Sequence, residues 1–259
     1  MMGVRRMAKS YIAFFKLELK VLAREPVTLF FMIILPVILT VVFGGAFGSE
    51  ATKYGDHVLG IDTIVPVNIV FLLANVGLMG VPITVVELKE QEILKRYITY
   101  PINYKTYFVS LFSVFSFVSV LSTLLFSLIA FLFYGAKWHM NIWDFLIFLV
   151  LYIAMTIIFD GIGSLIALLV KGSRTSSMVT SGFFLSLIFT SGVALPVESL
   201  PAVVQKIAYM FPMYHCIEVA QMLWISEFRF TGLWDNILYI AAATAALMVF
   251  LGRVKVKWD

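Results

Sequence analysis

Residues 27–47 read VTLFFMIILPVILTVVFGGAF, with no charge from end to end. The run is framed by Arg24–Glu25–Pro26 on one side and Gly48–Ser49–Glu50 on the other. Twenty-one residues rising about 1.5 Å each reach roughly 30 Å, the thickness of a bilayer's hydrocarbon core. Five further runs repeat the pattern: Ile64 to Val86, Tyr107 to Phe133, Asp144 to Val170, Thr175 to Leu195 and Leu233 to Gly252. In lipid every backbone N–H and C=O must be paired within its own segment, so each run predicts a helix. Composition agrees. Of 259 residues 61% are hydrophobic and 13% charged, against roughly 25% charged in a soluble domain, and mean hydropathy is +0.99. The expected fold is an all-α integral membrane domain of six transmembrane helices, a single unit over residues 1–259. The N-terminus does not read as a cleaved signal, because its long basic stretch contains Glu18 and precedes a full-length span.

One stretch threatens the count. Val203 to Ile225 is apolar and long, but contains Lys206, Pro212, His215, Glu218 and Gln221. With six spans, 15 of the 19 Lys and Arg fall on the side of the two termini, leaving Lys53, Lys137, Lys206 and Arg229 opposite. Positive charge favours the cytoplasm, so both termini are expected there. A seventh span would put Arg253, Lys255 and Lys257 outside. Residues 196–231 are therefore expected to form a re-entrant or interfacial hairpin on the outer face. Trp138, Trp143 and Trp234 at the outer ends of spans fit an interfacial aromatic belt.

Four segments are candidates for function. In residues 5–25, Ala8, Tyr11, Ile12, Phe15, Leu19 and Leu22 recur at helical spacing opposite Lys9, Lys16 and Lys20, which predicts an amphipathic helix along the inner leaflet. Residues 87–101 hold the densest charge in the chain: Glu87, Glu90 and Glu92, then Leu94, Lys95, Arg96 and Tyr97, closed by Thr99–Tyr100–Pro101. Acidic residues before basic ones suit a short helix, and a charged knob between two spans is a docking point for a soluble subunit. An ordinary solvated turn is the plainer alternative.

The outer segment carries Pro196, Pro201, Pro212, His215 and Glu218. A carboxylate in apolar sequence needs a partner, and His215 or backbone N–H groups are the expected ones. The segment reads either as a structural pin or as a gate. Asp160 lies eleven residues before Lys171, about 16 Å along a helix and near mid-membrane. Such a residue costs about 3 kcal/mol on insertion, so it should face the bundle or a wet cavity. Gly161, Gly163 and Ser164 beside it permit close helix packing.

Other chemistry is missing from the sequence. No GxxxxGK[ST] and no HExxH occurs. His57, His139 and His215 are scattered, and Cys216 is the sole cysteine, so no metal site, catalytic residue or intrachain disulfide is expected. The serines of the third span suit helix–helix hydrogen bonds better than nucleophilic roles. The net charge of +4 is spent on topology, and no nucleic-acid partner is expected.

Taken together, these segments resemble the ABC type-2 transporter permeases, exporters of drugs, lipids and polysaccharides. Glu87 to Pro101 is similar to that family's coupling helix. Ser191–Gly192, Leu195–Pro196, Leu200–Pro201, Phe211–Pro212 and Glu218 are similar to its signature before the last span, with Phe211 where the family has Asn. The resemblance implies a homodimer or heterodimer of permeases in the plasma membrane and two copies of a separate ATP-binding subunit. ATP and Mg would sit on that subunit, with no cofactor on this chain. It also implies that Glu87, Glu90, Glu92, Leu94, Lys95, Arg96 and Tyr97 dock the ATPase. Asp160, Phe71, Asn75, Phe183 and Phe184 are candidates for the substrate path, and a hydrophobic or amphipathic cargo is expected. Two competing readings stand beside it: a secondary transporter with Asp160 and Glu218 as proton carriers, and a membrane scaffold or enzyme without transport.

Overall fold

The computed structural model describes residues 2–52, 54–92 and 104–253. Helix α1 (Met2–Leu22) leads into α2 (Pro26–Phe47). A short antiparallel hairpin, β1 (Ala51–Thr52) and β2 (Gly55–Leu59), precedes α3 (Gly60–Glu90). Then follow α4 (Tyr104–Phe133), α5 (Ile142–Leu169) and α6 (Ser173–Thr190). A 3-10 turn (Val197–Ser199), α7 (Ala202–Ala208), α8 (Pro212–Trp224) and α9 (Phe230–Arg253) complete the order.

Local chemistry explains several helix starts. Pro26 and Pro212 open α2 and α8, where a missing N–H costs nothing. Asn141 caps α5 by accepting from the backbone N–H groups of Trp143 (2.8 Å) and Asp144 (3.0 Å). Helices α2 and α3 share an irregularity. Each contains a π-turn, Phe30–Ile34 and Val76–Gly80, that ends two residues before a proline, Pro36 and Pro82. Leu35 N–H donates to Phe30 and Val81 N–H to Val76, so each helix carries one extra residue just before the proline ring.

Five helices are long and apolar enough to cross a membrane among the described residues: Pro26–Phe47, Gly60–Glu90, Thr106–Phe133, Ile142–Leu169 and Gly232–Arg253. They match five of the expected runs to within a few residues. The sixth run differs. Helix α6 opens on Ser173 and Arg174 and stops at Thr190, so the expected continuation to Leu195 is a turn. Gly192 takes φ +91 there, a left-handed conformation that ends the helix and that glycine adopts without a Cβ penalty. Helix α8 has 13 residues, about 20 Å, too short to cross on its own.

Helix α3 is the axis of the bundle. It is the most buried of the five long helices and packs against α2, α4, α5, α6 and α8. Its tightest neighbour is α5. A Cβ on Gly163 would stand 1.9 Å from the Gly77 carbonyl oxygen, and one on Gly77 would stand 2.4 Å from the Phe159 carbonyl carbon. Towards α2, Asn68 Nδ2 donates to the Pro36 carbonyl and to Thr40 Oγ1, both at 2.8 Å. Outer faces of α2, α4 and α9 are covered with exposed apolar side chains such as Ile38, Leu124 and Val249, as lipid contact requires.

Helix α1 lies against α4. Phe14 meets Tyr107 edge-on with ring centroids 5.4 Å apart, Phe15 meets Phe117 at 5.9 Å, and Ser110 Oγ donates to the Tyr11 carbonyl. The buried stripe is Phe14, Glu18 and Leu22, flanked by Tyr11, Phe15 and Leu19. Ile12, expected on the apolar face, is 51% exposed, together with Leu17 and Val21. The stripe is rotated because the helix packs on a neighbouring helix with one face and leaves a second apolar flank free.

Replacing Gly163 by Ala forces α3 and α5 apart against backbone that cannot yield. We expect a stability loss of about 1–3 kcal/mol, read as a lower melting temperature in detergent; Gly182→Ala, which meets nothing within 4 Å, should leave melting unchanged.

Candidate functional site

A cavity of about 910 Å³ opens at the end of the bundle away from the α1–α2 junction. The C-terminal half of α2 supplies Leu39, Phe43 and Phe47. Helix α3 contributes Thr63, Ile64, Val67, Asn68 and Phe71, and the β-hairpin forms part of the rim with Thr52 and Tyr54. Residues 191–199 close one side, and α8 adds Ile217, Glu218 and Gln221. Three carboxylates, Glu50, Glu198 and Glu218, line the cavity, and no basic side chain does among the described residues.

Two polar atoms in this wall have no partner among the described residues. Asn68, 4% exposed, uses its Nδ2 on α2, which leaves Oδ1 unpaired; Ser191, fully buried, has an unpaired Oγ. Ser191 belongs to the segment similar to the family signature, whereas Asn68 is marked in the sequence only as a polar residue inside an apolar run.

Of the sequence candidates for the outer segment, Pro196 and Glu218 line the cavity, while Pro201, Pro212 and His215 do not. His215 does not serve Glu218 as expected. Its Nε2 donates to the Tyr209 carbonyl (3.0 Å), its Nδ1 pairs with the Asn236 side chain (2.6 Å), and its ring stacks on Tyr239 at 4.0 Å. The reason is geometric: the Tyr209 carbonyl, in the turn just before α8, and Asn236 and Tyr239 on α9 reach His215 first. His215 thus pins α8 to α9.

Path candidates divide. Phe71 lines the cavity, and its ring lies 5.5 Å from that of Phe184. Phe183 meets Phe211 at 5.9 Å. Asn75, one turn below Phe71, is buried and contacts Met79 Sδ at 3.8 Å. Asp160 is buried in the α3–α5 seam next to Gly77 and lies outside the cavity lining.

Two clamps hold the cavity's end of the bundle. Asp62, fully buried, accepts from Leu59 N–H (3.0 Å) and Lys137 N–H (2.8 Å) and pairs with His139 Nε2 (3.0 Å). One carboxylate thereby joins the β-hairpin, the start of α3 and the α4–α5 loop. Asp144 accepts from Asn141 Nδ2 and from Ser226 Oγ, tying the loop after α8 to the start of α5. Sequence reasoning treated His139 as scattered and passed over Asp62.

At the charged end, α3 continues through Glu90. Glu87 and Glu90 therefore belong to the last turns of α3, where they were expected to open a separate helix. The break comes at Gln91–Glu92, with Glu92 at φ +53; Leu94, Lys95, Arg96 and Tyr97 lie outside the described residues. Lys89 Nζ donates to the Ala167 carbonyl (2.8 Å), joining α3 to the end of α5. Nearby, burial raises the Glu18 carboxyl above its ordinary range, opposed by a hydrogen bond from Tyr107 and reinforced by Glu25. Among the described residues no group of His, Cys, Asp or Glu is arranged to hold a metal ion.

Comparison with protein families matches residues 9–224 to the model of the ABC-2 type transporter family. The match runs from within α1 to the last residue of α8. No curated protein matches the chain.

Asp62→Ala would strand His139 and two backbone N–H groups. A loss of about 3–5 kcal/mol is expected, with hydrogen exchange rising first in residues 55–62 and 136–141. Unchanged protection in both segments would remove Asp62 from its role as the clamp.

Proposed function

Because the chain belongs to the ABC-2 type transporter family, we propose that it is the permease subunit of an ATP-driven exporter, powered by a separate ATP-binding chain. The family match is the observation that carries this reading, and the several long apolar helices agree with it. The chain is a multi-pass membrane protein of the transport machinery.

The finer features of the proposal extend from there. Helix α6 is taken as the fifth of six spans, since its 18 residues reach about 27 Å and it packs along α3. Helix α1 is taken as interfacial. Its exposed Ile12, Leu17 and Val21 flank exposed Lys9, Lys16 and Lys20, an arrangement suited to the boundary between headgroups and acyl chains. Residues 196–231 are taken as a re-entrant hairpin, and both termini are placed in the cytoplasm of a plasma-membrane protein.

On this reading the α3–α4 connection is the coupling element. Glu87, Glu90, Glu92, Leu94, Lys95, Arg96 and Tyr97 receive the motion of two ATP-binding subunits, which hold ATP and Mg. Two permeases, alike or different, pair side by side within the membrane. Asp160, Phe71, Asn75, Phe183 and Phe184 mark the route from the charged end to the outer cavity, and Pro196, Pro201, Pro212, His215 and Glu218 shape the exit. The cargo is hydrophobic or amphipathic: a drug-like molecule, a lipid or a peptide.

Charge reversal at both Lys95 and Arg96 is expected to abolish co-purification of the ATP-binding chain and substrate-stimulated ATP hydrolysis, with melting of the permease unchanged. Normal stimulation in that variant would overturn the docking assignment. A thiol label on Cys introduced at Glu92 should react only from the cytoplasmic side of sealed vesicles; labelling from outside would overturn the topology.

A further inference from the structure

We propose that the outer cavity binds a neutral apolar molecule through a hydrogen-bond donor, a hydroxyl or an amide N–H. The inference rests on the export reading for its place in a transport cycle, while its chemistry is read from the cavity wall. The volume of about 910 Å³ suits a drug-sized molecule, whose pockets span roughly 300–1,000 Å³. The rings of Phe43, Phe47 and Phe71 line it, so an apolar body has surface to bury against.

The polar groups of the wall decide the head. Thr52, Thr63 and Ser199 donate their hydroxyls to the carbonyls of Val58, Gly60 and Pro196, and Gln221 Nε2 donates to the Thr63 carbonyl. Tyr54, Glu198 and Glu218 have interactions of their own, and Glu50 is exposed to solvent. The buried polar atoms of the lining left without a partner are Asn68 Oδ1 and Ser191 Oγ.

The Asn68 amide is held in one orientation. Both Nδ2 hydrogens are used, on the Pro36 carbonyl and on Thr40 Oγ1, and the Thr40 hydroxyl itself donates to Pro36. Turning the amide over would set Oδ1 against the Pro36 carbonyl oxygen, so no rearrangement of this side chain pairs it. An amide oxygen accepts and cannot donate, and leaving it buried without a donor is costly. A bound donor removes that cost. Asn68 is 4% exposed and Ser191 fully buried, so the group that reaches their oxygens must be slender, as a hydroxyl or an N–H is. Ser191 Oγ can then donate to an oxygen of the same head.

The test compares pyrenemethanol with its methyl ether, which keeps the oxygen and the apolar body and lacks the donor. The full-length permease in nanodiscs is titrated with each by equilibrium dialysis, with empty discs subtracted. The alcohol should saturate and the ether bind at least about tenfold more weakly, because a site built around an acceptor rejects the analogue that leaves it unpaired. Asn68→Leu should bring the two affinities to within about twofold of each other. Should that variant fail to fold, since it also loses the bonds to α2, Ser191→Ala keeps the test open. It deletes an atom without a partner, so melting should be unchanged while the alcohol binds about threefold more weakly. Equal binding of alcohol and ether, or an alcohol affinity unchanged by Ser191→Ala, overturns the proposal. A permease that couples to its ATP-binding chain yet binds alcohol and ether alike sinks this inference alone. One that prefers the alcohol but recruits no ATP-binding chain sinks the export reading alone.

Discussion

The Gly77 carbonyl sits where a side chain of Gly163 would otherwise be, and that contact governs the rest of the bundle. Two helix backbones can touch only where neither has a Cβ in the way. Because they touch here, α3 is drawn into the centre and α5 becomes its wall. The other helices then arrange around α3. Lipid supplies no hydrophobic force to push helices together, so close packing and internal hydrogen bonds carry the association. The Asn68 amide on Pro36 and Thr40, towards α2, and Lys89 on the end of α5 are bonds of that kind.

How much of this was legible in the sequence follows from what lipid demands. An apolar run of about twenty residues has one solution in a bilayer, so five long apolar helices were readable to within a few residues at either end. Where the demand relaxes, the reading weakened. Residues 191–195 are apolar enough to continue a span, but Gly192 in a left-handed turn stops the helix. Glu87 and Glu90 looked like the start of a new helix because acidic residues favour helix N-termini; instead α3 runs on through them. On α1 the periodicity marked a face, but only the neighbour α4 decided that Phe14 and Glu18 turn inward and Ile12 outward.

The cavity was the least legible part. Its polar members come from the α2–α3 connection, from α3, from the turn after α6 and from α8, and nothing in their spacing announces a common site. Glu218 was conspicuous as a carboxylate in apolar sequence, yet its expected partner His215 is committed to Asn236 and Tyr209. The Asp62–His139 pair spans 77 positions, so only the fold reveals it. Sequence marks an ionisable group as costly; it does not say which distant loop relieves the cost.

The twin wide turns in α2 and α3 have a mechanical consequence. Proline has no amide hydrogen and its ring crowds the preceding turn, so the regular hydrogen-bond ladder cannot be restored there. Each of the two helices is a rod with a built-in elbow, and residues beyond the α2 elbow and before the α3 elbow form walls of the chamber. Bending at either elbow would therefore move the chamber's walls while the half of the helix on the other side of it kept its place.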